Sequence, residues 1–508
     1  MKKTLIPAIL VTCLCIAGTV ITSCGGKGEE AETQKQAGTS TPDTEKTEAE
    51  DPTEKNGRSD VKDSLPDTLD FGGETIRVLA RGGDDDVKIE FYSENTNGEV
   101  VNDAVFMRNE AVEERLNVKM EVLLQNVTRH NHLAPEIRKS VSAGSDDFDL
   151  TANSIYNMNS IALEGMLLDL QELDYLDFSQ PWWNQAFLDL TEYNGRNYVA
   201  LGELSQTMIS GAFCMFFNRD MYREFYPDEP SLYEIVNAGE WTLDKMISLC
   251  TPLYADLNGN GKADEGDRFG HFFTDTQTLG CDSFTGGCNI NLIIKNDDGS
   301  YTYNGVSDRT VKFYEKMGTL LFENNNTCRL PYNNEDIMKT MVNDQTMFTT
   351  WMLTGINYLR DMKDDFGIIP MPKLDETQKE YNAFCHDGSS SFSIPITENS
   401  PNMVAAFLEA MCAETYRTVT PAYFETALKG KYSRDSETSQ MLDLIVSGIY
   451  LDIAYIYGDN LQSPIGDLRT ILGSPAAHSK AVSTMTSKEK QMLKRMDTII
   501  KGYESIAQ

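Results

Sequence analysis

The sequence predicts an α/β protein built as two lobes, each a β-sheet flanked by helices. Three observations predict it. From Thr75 the chain reads strand, helix, strand, helix, strand, the order of a doubly wound sheet. About 440 residues follow the polar N-terminal stretch, more than one hydrophobic core organises. Two segments, Glu203 to Gly211 and Gly388 to Ile394, stand where the chain would cross from one lobe to the other.

The elements follow in order. Thr75-Ile76-Arg77-Val78-Leu79 alternates and is rich in β-branched residues, as an opening strand should be. Asp103 to Leu116 reads as a helix, with Ala104, Ala111, Val112 and Leu116 at helical spacing and Glu110, Glu113, Glu114 and Arg115 opposite. Val118 to Val122 is the next strand, Leu133 to Ala143 the next helix, and Asp149 to Ala152 a short strand end. Tyr198 to Gly202 and Ala212 to Asn218 read as extended, the second almost wholly apolar and hence deeply buried. Helices are expected over Asp220 to Phe225, Thr242 to Tyr254 and Arg309 to Glu323, and Trp241-Thr242 reads as a helix entry. Ser400-Pro401 starts another, Ser as cap and Pro at the first helical position. A capping box at Thr486 and Glu489 is expected to open the last helix. Lobe 1 is therefore assigned to 70–205 plus about 390–425, and lobe 2 to about 206–389 plus about 426–508.

The N-terminus predicts an address. Met1-Lys2-Lys3 supplies positive charge, Leu5 to Ile21 is mostly apolar, and Ile21-Thr22-Ser23-Cys24 closes the run. Residues 1–23 thus resemble a bacterial lipoprotein signal, with Cys24 as the acylated (palmitate-bearing) first residue of a chain held outside the cell membrane. An ordinary cleaved signal with Cys24 a bystander is the other reading. Residues 24–69, rich in Gly, Glu, Thr, Lys and Asp, bury too little to offset chain entropy and are expected to form a disordered acidic tether.

Composition narrows the partners. The formal net charge of -34 argues against nucleic acid or an anionic membrane surface, since either needs a basic footprint. Of ten cysteines, Cys13 and Cys15 lie in the signal, Cys24 is the acylation site, and the other seven are scattered without a CxxC pair. Cys281 and Cys288 are either a bridge or small buried thiols.

The sharpest motif is Asp256 to Asp267. Oxygen-bearing residues fall at loop positions 1, 3, 5, 9 and 12, with Gly261 at position 6, where the backbone must turn sharply. This is calcium-loop spacing, with Asp256, Asn258, Asn260, Asp264 and Asp267 as side-chain donors and Lys262 giving its carbonyl. The shorter Asp267 stands where a bidentate Glu is usual. A polar Asn-Gly turn is the plainer alternative. With no second loop to pair with, a structural Ca²⁺ is expected rather than a switch.

Tryptophan and tyrosine faces stack on sugar rings while nearby acids and amides bond the hydroxyls. Trp182, Trp183 and Trp351 are therefore candidates for ligand contact or for core, and Trp241 for core. His386-Asp387 near the second crossing either lines a cleft or is a hydrogen-bonded loop. No GxSxG, HExxH or P-loop is present, and the five histidines show no metal spacing. Ser487-Lys488-Glu489-Lys490 matches SxxK only as helix capping.

Several stretches in one order resemble the extracellular solute-binding lipoproteins of carbohydrate ABC transporters (family 1, periplasmic-binding-protein-like type II). They are Val100 to Val105 with Glu113 to Val118, Ala143 to Leu150, Gly165 to Leu170, Pro181-Trp182-Trp183, Phe216 to Arg219, Gly239 to Thr242, the ion loop, and Gly367 to Lys373. The resemblance implies a two-lobed binding protein with its ligand in the cleft between lobes. It implies an oligosaccharide ligand, hinge closure and a membrane permease as partner, with no catalysis and a monomeric chain touching the membrane only through its lipid. It also implies Trp351, Tyr156 and the Trp182-Trp183 pair as ligand-binding residues, to which the position of His386-Asp387 near the second crossing adds Asp387. A peptide receptor or sensor of the same fold, and a secreted carbohydrate-active enzyme, are the rival readings.

Overall fold

Ile76, Val78 and Ala80 of the first strand enter one apolar cluster and Leu79 another, so both faces of that strand must be covered. The computed structural model describes residues 57–128, 133–274, 278–296, 298–330, 334–360, 362–432 and 436–506. The signal segment, Cys24, His130 and His132 lie outside the described residues. In chain order the strands are β1 (Glu74–Arg81), β2 (Val118–Gln125), β3 (Leu150–Ser154), β4 (Phe213–Asn218), β5 (Phe269–Thr274), β6 (Ile293–Lys295), β7 (Tyr301–Tyr303), β8 (Thr327–Leu330), β9 (Thr346–Met352), β10 (Phe366–Ile369), β11 (Ala383–Phe384), β12 (Ser390–Ser393) and β13 (Ile449–Tyr450).

Two sheets organise the body. In lobe 1 the order is β12-β3-β1-β2, with β1 parallel to β2 and β3, and β12 antiparallel to β3. The helices Val100–Leu116 and Ala134–Ser142 supply the crossovers that parallel strands require. In lobe 2 the order is β10-β4-β9-β5-β8, with β4 antiparallel to β10 and β9, and β5 parallel to β9 and β8. Every residue of β4 is buried, which is what its apolar run foretold. The expected strand at 198–202 is instead an irregular segment pinned by isolated bridges from Ala200 to Phe392 and from Gly202 to Trp183.

The chain leaves lobe 1 through the short helix Gln206–Ser210 and returns through β12. After the helix Pro401–Glu414 it goes back to lobe 2 along widened π-type turns over Thr415–Val419 and Ala422–Tyr432. Two capping expectations fail. Ser400 makes no side-chain cap bond, leaving Pro401 alone to set the start. The last helix runs Ala481–Ile506, so Thr486 lies inside it and bonds back to the Val482 carbonyl instead of opening it.

The cysteine pair has a geometric answer. Thr278–Gly287 is helical, which spaces Cys281 and Cys288 by about two turns, or about 10 Å, beyond the reach of a disulfide. Both are free buried thiols, Cys288 aimed at the Pro372 carbonyl.

Residues after β13 form a helical block that touches both lobes. Its helices Ile453–Ile456, Gly458–Leu461 and Ala481–Ile506 meet the lobe 1 helix Ile155–Leu163, while Pro464–Leu472 meets the lobe 2 helices Thr278–Gly287 and Asp308–Phe322. One apolar cluster therefore runs from Ile137 and Ile161 of lobe 1 through Leu468 and Ile499 to Phe284 and Met317 of lobe 2. Arg469 clamps this block to lobe 2 with a two-pronged bond to Asp282, whose carboxylate is sealed from water. Burial pushes the Asp282 carboxyl up and the Arg469 charge opposes it. Replacing Asp282 by Ala is expected to cost about 3 kcal/mol in chemical unfolding, the low end for a broken buried pair because Arg469 keeps some access to water.

Candidate functional site

The two crossings are held by buried polar groups. Arg81, at the end of β1, donates to the Gly388 carbonyl at 2.6 Å and to Ser390 Oγ at 3.0 Å. Glu90 accepts from the Thr207 backbone N–H at 3.0 Å and its hydroxyl at 2.6 Å, and Ser390 N–H donates to Thr207 Oγ1 at 3.1 Å. Burial raises the Glu90 carboxyl, against the lowering effect of these bonds and of the Arg81 charge.

Beside this network lies a cavity of about 940 Å³. Lobe 1 contributes Asp85, Ile89, Glu99 and Val101, and the crossing helix contributes Gln206 and Ser210. Lobe 2 contributes the turn after β9, including Thr354, Asn357 and Arg360, and the returning π-turns contribute Tyr423, Ala427 and Leu428. The wall is thus mostly apolar with a few convergent polar groups, the usual make-up of a small-molecule site. Glu99 caps the helix Val100–Leu116, accepting from the Val101 and Asn102 N–H groups, and Arg360 donates to Asn357 Oδ1 at 2.8 Å. Gln206 is 3% exposed, and its Nε2 donates to the Glu203 carbonyl while its Oε1 has no partner. A buried amide oxygen without a donor is costly, and this one is sealed from the surface, out of reach of a molecule in the cavity.

The sequence-predicted contacts fall elsewhere. Trp182 and Trp183 are 1% and 3% exposed and sit in the lobe 1 core, not at a lip. Their indole N–H groups donate to the two oxygens of Glu409, a polar anchor that holds both rings edge-in. Trp351 is buried on β9 opposite Cys214, with Tyr358 edge-on outside it. Trp241 is core, donating to the Pro370 carbonyl, and Thr242 caps the helix Leu243–Cys250 as its sequence implied. Tyr156 and Asp387 are half-buried neighbours at the carboxyl end of β3, where the Asp387 carbonyl accepts from Ser154 Oγ at 2.7 Å. His386 N–H donates to the Gly211 carbonyl, and its Nδ1 accepts from Gly388 N–H at 2.9 Å, the loop alternative. The cavity residues Gln206, Asn357, Arg360 and Tyr423 were not singled out from sequence, because their types are ordinary and only the packing of three chain segments brings them together.

The loop 256–267 closes as a ring. Asp256 accepts from the Gly259 and Gly261 N–H groups, and Asn258 and Asn260 accept from the N–H two residues on. Both amides donate to Asp264, while buried Asp267 accepts from Leu257 and Asp264 N–H. The donor set is oxygen only, which suits a hard cation.

No protein-family model and no curated protein matches the sequence. Solved structures do match in fold. The GacH receptor of Streptomyces glaucescens, solved unliganded and with acarbose, aligns at TM-score 0.54 over 83% of this chain and 99% of its own, at 12% identity. The ABC substrate-binding protein Lmo0181 of Listeria monocytogenes, solved with cycloalternan, aligns at 0.52 over 84% and 99%, at 13% identity. The galacto-N-biose/lacto-N-biose I-binding protein of a Bifidobacterium longum ABC transporter aligns at 0.53 over 86% and 97%, at 11% identity. The chain therefore has the two-lobed α/β fold of solute-binding proteins, and these three are binding proteins.

The Glu409 anchor predicts a pH effect. Burial pushes its carboxyl up to about 8, against the bonds from Asp177, Trp183 and Trp182 that lower it. The folded value lies above the ordinary 4.5, so the folded state holds the proton longer and stability falls as pH rises between those values. Melting temperature is expected to drop across pH 5 to 8 in the unaltered protein and to drop less in Glu409→Gln; parallel curves would refute the assignment.

Proposed function

We propose that this protein captures an oligosaccharide outside the cell and hands it to an ABC transporter permease. The observation that carries this reading is the cavity between two lobes on a body whose structural neighbours are sugar receptors. Asp85, Glu99, Asn357 and Arg360 offer polar partners for sugar hydroxyls, and Tyr423 with Leu353 and Ile356 supplies apolar surface for ring C–H faces. The role proposed is binding without turnover, as in the neighbouring binding proteins.

Cys24 is proposed as the acylated residue, with the polar segment behind it as tether, and the chain acts as a monomer. Among the described residues no helix is long and apolar enough to cross a membrane, which is compatible with attachment through lipid alone. The loop 256–267 is proposed to hold a structural Ca²⁺ through Asp256, Asn258, Asn260, Asp264, Asp267 and the Lys262 carbonyl.

Two experiments test this. Thermal shift of ligand-free protein against linear and branched oligosaccharides is expected to give a saturable rise in melting temperature with at least one sugar. Asn357→Ala, at an exposed residue of the wall, is expected to weaken that binding about tenfold, or about 1.4 kcal/mol, with the unliganded melting temperature little changed. No response to any sugar but a shift with peptides would favour a peptide receptor. For the ion, Asp256→Ala is expected to lower melting temperature only in calcium; equal loss in chelator would count against it.

A further inference from the structure

In an open parallel sheet, ligands lodge beyond the carboxyl ends of the strands. Here β1 and β3 are neighbours, paired in parallel from Val78 with Leu150 to Ala80 with Ala152, so their carboxyl ends lie side by side. The segment leaving β1 is open and lines the cavity through Asp85 and Ile89. The segment leaving β3 is taken. Gly458 lies so close to the Tyr156 ring that a Cβ there would stand 1.9 Å from Cε2. Asn159, one turn further along the same helix, donates to the Ile456 carbonyl at 3.3 Å.

The occupying turn is rigid. Gln462 and Ser463 both adopt the left-handed conformation, at φ 58° and 53°, which non-glycine residues take only when their surroundings impose it. Ser463 N–H bonds the Gly458 carbonyl at 2.8 Å, Arg495 donates to the Leu461 carbonyl at 2.7 Å, and Pro464 starts the next helix. That helix carries Arg469, locked to Asp282 of lobe 2.

We infer that the turn Gly458–Ser463 is a built-in stop filling the Tyr156 end of the interlobe cleft, so that the ligand's length is limited to what the open cavity accepts. This inference rests on the oligosaccharide reading above. Tyr156 then serves as the seat of the stop and not as a sugar platform, and Gly458 determines specificity because any larger residue would displace the ring or the turn.

The test is a length profile. Calorimetric titration would be run with maltose to maltoheptaose, cellobiose to cellohexaose and xylobiose to xylohexaose. In the unaltered protein, affinity within a binding series is expected to level off after its shorter members. In Tyr156→Ala, which removes the seat of the turn, and in a variant with Asp459–Gln462 replaced by two glycines, affinity is expected to keep rising with length. Circular dichroism and melting temperature would confirm that each variant is folded. Affinity that climbs to the longest sugar in the unaltered protein overturns the stop while leaving the sugar reading intact; no binding in any series overturns both.

Discussion

The buried polar knot at the lobe crossings is the constraint on which the rest of this molecule depends. Arg81, Glu90, Thr207 and Ser390 are each no more than 1% exposed, and each belongs to a different stretch of chain. A guanidinium and a carboxyl drawn out of water in this way must be met by hydrogen bonds, or the fold loses several kcal/mol. The bonds that meet them run from the end of β1 to both crossings. The two crossing segments are thereby tied to lobe 1 by polar geometry at one point. The cavity lies beside this knot because the same crossing helix that gives Thr207 to it gives Gln206 and Ser210 to the cavity wall.

The C-terminal block adds a second link between the lobes, and its two sides differ in kind. Toward lobe 2 it is held by the Asp282 to Arg469 bond, by Tyr303 donating to the Met485 carbonyl, and by apolar packing. Toward lobe 1 it presents tyrosines: Tyr503 stacks on Tyr193 and Tyr198, and its hydroxyl meets those of Tyr457 and the Asn159 side chain. Flat rings with a few hydroxyl bonds make a seam that separates at less cost than a buried ion pair.

The aromatic residues show how far residue type alone carries an inference. A Trp-Trp pair after a leucine-rich turn reads equally as ligand platform or as core, since both bury one ring face. What decides is Glu409, more than two hundred residues away, whose carboxylate takes both indole N–H groups and turns the rings inward. Trp351 is decided by strand pairing, which sets it opposite Cys214 inside the sheet. No local pattern contains either partner.

What the sequence alone determined is therefore local and periodic. The strands at 75–79, 118–122 and 212–218, the helices at 103–116 and 309–323, the two crossings and the sheet-and-helix character of the fold all follow from spacing of apolar residues, because secondary structure must bury that spacing wherever it lies. The turn at 256–267 was readable in the same way, because its Asx residues and glycines are contiguous in the chain. Tertiary structure alone decided the rest. The cavity wall draws on residues near 85, 206, 357 and 423, the stop on 156 and 458, and the anchor on 182 and 409. Such sites arise only when distant segments are brought within a few ångströms, and that proximity is set by packing and buried polar bonds which leave no periodic trace in the chain.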